Sequence, residues 1–165
     1  MFKQKFIKFL MSRGGLTLFN YVLLAIFTFS LVNAFSLLFN KIDDTLKMDS
    51  IMNAIATILV AYGVVLEERE GIFKIAEIYP SQESKAETAM DHLCHDYGIT
   101  FLVIGLFIEV TTEIVKIPCQ VINFAAVETP IFAGGMILSI TGVLTLIYFS
   151  MKIIHSGQVK TEKAA

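Results

Sequence analysis

Polar residues in this chain come in clusters, and four apolar blocks run between them: residues 16–39, 51–66, 99–115 and 130–154. The hydrocarbon of a bilayer is about 30 Å thick and is crossed by about 20 helical residues, so each block reads as a transmembrane helix. The second and third blocks fall short of a full span and must borrow flanking polar residues. Barrel strands do not fit, because the blocks lack alternating polarity and backbone groups in lipid must bond within their own segment. The pattern predicts an all-α integral membrane protein: one domain over residues 1–165, built as a four-transmembrane-helix bundle.

The stretch before the first block, "MFKQKFIKFLMSRGG", places Phe2, Phe6, Phe9 and Leu10 near one helical face with Lys5 and Lys8 off it. That is the pattern of an amphipathic helix lying in the membrane interface, here over residues 1–14. A basic head followed by an apolar run and Val32-Asn33-Ala34 also resembles a secretory signal with its cleavage site. The apolar run continues through Phe35 to Phe39, too long for a signal core, so the segment is read as a retained span.

Residues 67–98, "EEREGIFKIAEIYPSQESKAETAMDHLCHDYG", are too polar for lipid yet rich in helix formers. Ile72, Phe73 and Ala76 extend the apolar stripe of the second helix toward Tyr79. Pro80 interrupts, and Ser84 with Glu87 forms a Ser-x-x-Glu capping box that starts the third helix. The expectation is an extended helical hairpin between the second and third spans, the latter entering the bilayer near Tyr97. Folding about residues 80–83 sets residues whose numbers sum to about 164 at the same height.

Composition supports this layout, with 55% hydrophobic residues against 17% charged and a mean hydropathy of +0.69. With both termini cytoplasmic, ten of the thirteen basic residues fall inside and only Lys41, Lys47 and Lys116 outside, the bias of the positive-inside rule. The expected location is the inner (plasma) membrane of a prokaryote. A net charge of −2, with no basic cluster with aromatic interleaving suited to nucleic acid, gives no field to attract one. Cys94 and Cys119 are 25 residues apart on one expected helix, too distant to bridge, and no CxxC suggests a zinc ribbon.

The hairpin register gathers Glu67, Glu68 and Glu70 from one helix with Asp91, His92, His95 and Asp96 from the other, and sets Arg69 among them. Carboxylates and imidazoles are ligands for iron, manganese or zinc, and Asp91 and His95 at i and i+4 point the same way. These seven residues are the candidate metal site. The same groups could instead form a plain interfacial salt bridge, Arg69 with Asp91 or Asp96. Glu-x-x-His and HExxH are both missing, as are a Walker loop, GxGxxG and GxSxG. On the third helix, Glu87, Asp91, His95, Gly98, Leu102, Gly105, Glu109, Glu113 and Lys116 fall within about 40° of one line. Glu109 and Glu113 lie in the apolar run, where a carboxylate is expensive, so they are candidates for an ion pathway or for hydrogen bonds to Asn or Thr of a neighbouring helix. Gly134, Gly135 and Gly142 offer small residues for close helix packing on the fourth helix.

Three functional expectations follow. The first is a small non-enzymatic subunit of a homo- or hetero-oligomeric membrane complex, with lipids and membrane subunits as partners. In it the acid and histidine cluster organises the hairpin or binds a divalent cation. The second is an oligomeric cation or proton channel or transporter using the Glu109 and Glu113 face. The third is a metal-dependent membrane oxidoreductase.

Overall fold

The computed structural model describes residues 2–39, 45–76, 85–119 and 125–158. Among them the chain is helical with no strand: α1 (Phe2–Leu10), α2 (Arg13–Phe39), α3 (Thr45–Glu67), α4 (Arg69–Ile75), α5 (Lys85–Cys119) and α6 (Ala125–Gln158). At about 1.5 Å per residue the four long helices measure about 40, 35, 52 and 51 Å, and all four are long and apolar enough to cross a membrane. Each exceeds its apolar block because charged residues extend it at the ends. Pro130, which bounds the fourth block, lies inside α6 near its start, where a missing N–H forfeits one early helical bond without ending the helix.

The buried positions recur at alternating spacings of three and four. In α3 they are Met48, Met52, Ile55, Leu59, Tyr62 and Leu66; in α5, Cys94, Gly98, Phe101, Gly105, Ile108 and Thr112. In α6 the same rhythm runs through Phe132, Gly135, Ser139, Gly142, Leu146, Phe149 and Ile153. This is the seam spacing of helices packed knobs into holes, and it produces an antiparallel bundle with α3 against α5, α5 against α6, and α6 against α2. Outside the seams the surface is apolar: Phe29, Val32, Phe107, Ile137 and Leu144 all face outward. Such a surface suits lipid or another apolar partner rather than water.

α3 and α5 form the most extensively packed pair. Residues of α3 and α4 paired with α5 have numbers summing from 160, for Arg69 with Asp91, to 165, for Asn53 with Thr112. The expected height relation of about 164 therefore compares closely with the observed register. Backbone meets backbone along this seam. A methyl group on Gly98 would lie 2.6 Å from the Glu67 nitrogen and 2.7 Å from the Gly63 carbonyl oxygen, and one on Gly105 would lie 2.9 Å from the Ala56 carbonyl. Gly135 and Gly142 likewise face Met52 and Leu59, whereas Gly134 faces open space.

The hairpin departs from expectation in one respect. The second helix is interrupted at Glu68 before resuming as α4, which ends at Ile75. Tyr79, Pro80 and Ser84 lie outside the described residues. At the N-terminus, Ser12 caps α2 by accepting the Gly15 N–H at 3.2 Å while donating to the Phe9 carbonyl at 2.6 Å. A side chain on Gly15 would collide with that Phe9 carbonyl, so the tight α1–α2 corner requires glycine there. The corner returns α1 to the same end of the bundle as α4, where Gln4 donates from Nε2 to the Ala76 carbonyl at 3.4 Å.

Candidate functional site at the hairpin end

Arg69 occupies the seam position three residues after Leu66, where the next apolar side chain would stand, and it is buried. Burying a guanidinium is tolerable only if its charge and its donors are matched. Three groups match them. Nη1 donates to the Asp91 carboxylate in an ion pair whose side chains are 6% and 16% exposed. Nε and Nη2 both donate to the Met11 carbonyl at 3.2 and 3.1 Å. The guanidinium also lies 4.7 Å from the centroid of the Phe73 ring, one turn along α4. One side chain thus ties the α1–α2 corner, α4 and α5 together.

The remaining members of the expected metal set are distributed around this clamp. Glu67 reaches His95, with 3.5 Å between Oε1 and Nδ1. Glu70 pairs with Lys74 at 2.5 Å on the exposed face of α4, and the hydrogen bond and charge of that ammonium hold the Glu70 carboxyl below its ordinary range. His92 lies close enough to Glu70 to lower it further. Glu68 is exposed, with Oε2 over Gly71, and Asp96 is exposed with its backbone carbonyl accepting the Thr100 hydroxyl at 2.8 Å. Among the described residues, no three His, Cys, Asp or Glu side chains are arranged to hold a metal ion. Three of the acids are instead paired separately, Asp91 with Arg69, Glu70 with Lys74 and Glu67 with His95.

Along the stripe of α5, Gly98 and Gly105 are pressed against α3, so the middle of that face is occupied by backbone. Glu109 is half-buried just beyond, and Glu113 is exposed one turn further on. The hydroxyl of Thr112, beside them, donates to the Glu109 carbonyl at 2.8 Å and sits 3.3 Å from Asn53 Oδ1. Thr112 thus makes a cross-helix polar contact to α3.

Several groups at this end carry no signature motif. Tyr62 donates its hydroxyl to Asn20 Oδ1, linking α3 to α2, while Asn20 Nδ2 is buried without a partner among the described residues. Tyr62 begins a run of ring contacts through Phe101 and Phe149 to Tyr97, joining three helices in one layer. Lys152 lies 5.6 and 5.2 Å from the centroids of Tyr97 and Tyr148. The legible signal was position rather than motif: Arg69 and Asn20 each stand where the seam spacing calls for an apolar residue.

Fold and site together define an all-helical bundle of membrane-protein type with a buried arginine clamp at its hairpin end. No family model matches the chain, and neither a curated protein nor a solved structure similar to it was found.

Proposed function

We propose that this chain is a small, non-enzymatic subunit of a membrane complex, with both termini and the hairpin on the cytoplasmic side, and that its acid and histidine cluster organises the hairpin end. The observation that carries this reading is the pairing of the cluster's polar groups with one another: Arg69 with Asp91 and Met11, Glu67 with His95, Glu70 with Lys74. Groups paired in this way hold a surface in shape. The apolar outer faces of α2, α5 and α6 add support, since faces of this kind suit neighbouring membrane helices as well as lipid. The positive-inside bias supports the orientation.

The test is purification from native membranes in a mild detergent, followed by mass measurement and identification of companions. A defined oligomer or a stoichiometric companion subunit is the expected result. A lone monomer in both detergent and nanodisc would overturn the reading.

A second reading, a cation or proton path along α5, draws on one observation. The Glu109 carboxylate is half-buried in a span and has no hydrogen-bond or ion-pair partner among the described residues. Its test is ion flux, set out below.

A further inference from the structure

α2 packs more extensively against α6 than against α3, and beside the α1–α2 corner a cavity of about 270 Å3 lies in the wedge between α2 and α3. Leu10, Met11 and Phe19 form one wall, and Ile58, Ala61 and Val65 the other. Tyr62 also lines it, with its hydroxyl bonded to Asn20, so the lining presents carbon almost throughout. Water gains nothing in such a space, because it needs two to four polar partners. The cavity lies between two helices apolar enough to span a bilayer, so the molecules at its mouth in a membrane are acyl chains.

The charge around the mouth is one-sided. Residues 1–40 contain four basic side chains, Lys3, Lys5, Lys8 and Arg13, and no acid. Lys5 and Lys8 are exposed on α1, within two turns of Leu10 and Met11 at the cavity wall. The acids of the neighbouring helix end are directed elsewhere: Glu67 to His95, Glu70 to Lys74, and Glu68 over Gly71. We propose that the crevice between α2 and α3 holds one acyl chain of an anionic phospholipid, whose phosphate is held by Lys5 and Lys8 of α1. This goes beyond the subunit reading and does not depend on it, since an isolated monomer can hold the lipid. Bound there, the lipid fills the wedge that helix packing leaves open and fixes α1 against the leaflet.

The experiment is native mass spectrometry of delipidated protein titrated separately with phosphatidylglycerol and phosphatidylcholine carrying the same chains. One phosphatidylglycerol is expected to bind ahead of phosphatidylcholine by on the order of tenfold, the scale set by two lysines beside an anionic lipid. Ala61→Phe fills the crevice and should remove the first adduct of both lipids. Lys5→Gln with Lys8→Gln should keep the adduct and abolish the preference. Ala61→Leu is the milder replacement if the Phe variant does not fold. Equal binding of the two lipids by wild-type protein, or an unchanged first adduct in the crevice-filled variant, would overturn the proposal. So would a lipid-free dimer that Ala61→Phe dissociates, which would assign the crevice to a second copy of the chain.

Discussion

Replacing Arg69 by Met keeps most of the apolar stem and removes the charge. It leaves the Asp91 carboxylate, 16% exposed, without its cation, and the Met11 carbonyl without its two donors. Breaking a fully buried ion pair from one side costs about 3–5 kcal/mol. Asp91 retains some access to solvent, so the low end, about 3 kcal/mol, applies. Asp91→Asn leaves the guanidinium its carbonyl partner and should cost about 2 kcal/mol, and the double variant about 3 kcal/mol, so the coupling within the cycle is about 2 kcal/mol. Cys94 provides the readout: its thiol is buried on α5 one turn from Asp91, and it reacts only when the hairpin end opens. With Cys119→Ser as background, Arg69→Met should accelerate Cys94 alkylation about a hundredfold, since each 1.4 kcal/mol is about a factor of ten. A coupling below about 0.5 kcal/mol, the level of exposed surface pairs, would refute the clamp. So would unchanged alkylation in the single variants.

The α3–α5 seam gives a paired test. Gly98→Ala forces a methyl against the Glu67 and Gly63 backbones and should destabilise by about 1–3 kcal/mol or more, whereas Gly134→Ala, facing open space, should stabilise by up to about 1 kcal/mol; thermal unfolding in one detergent compares them. The Glu70 carboxyl is lowered by Lys74, so the contribution of that pair is present above the unfolded-state value and is lost as pH falls through the folded one. Lys74→Met should raise the Glu70 midpoint in a carbon-detected NMR titration, and an unmoved midpoint would remove the assigned cause. In proteoliposomes the subunit reading expects no protein-dependent proton or cation flux, in wild type and Glu109→Gln alike; a flux that Glu109→Gln abolishes would install the pathway reading instead. The subunit reading with a structural cluster expects iron, manganese and zinc all well below one per chain in protein purified without chelators; a stoichiometric metal lost in His95→Ala would favour the metal-binding reading instead.

The parts of this molecule legible in its sequence are those set by period and length. Four apolar blocks gave the long helices, and a proline between two helical patterns gave a register whose observed pairs lie within a few residues of expectation. Helix ends were less legible: α6 runs through Pro130 and the second helix breaks at Glu68. The site was legible as a set of residues but not as a set of bonds. Seven acids and imidazoles at one height resemble a ligand cluster when only heights are known. Their azimuths separate them, since Asp91 turns inward to Arg69 while His92, His95 and Asp96 stay exposed. The backbone acceptor at Met11 was out of reach, because it depends on α1 folding back at the Ser12–Gly15 corner.

The stripe on α5 carries the same lesson further. Charges at its two ends, Glu87 to His95 and Glu109 to Glu113, suggest a continuous polar track when read by angle alone. Between them stand Gly98 and Gly105, and a face with glycine at its centre is one that another backbone can approach. In an apolar seam the residue that breaks the pattern identifies the contact: glycine where helices touch, and a buried arginine where α5 supplies a carboxylate and the α1–α2 corner a carbonyl. Polar positions that coincide with the three-and-four spacing of their own helix are therefore the ones to assign to packing first.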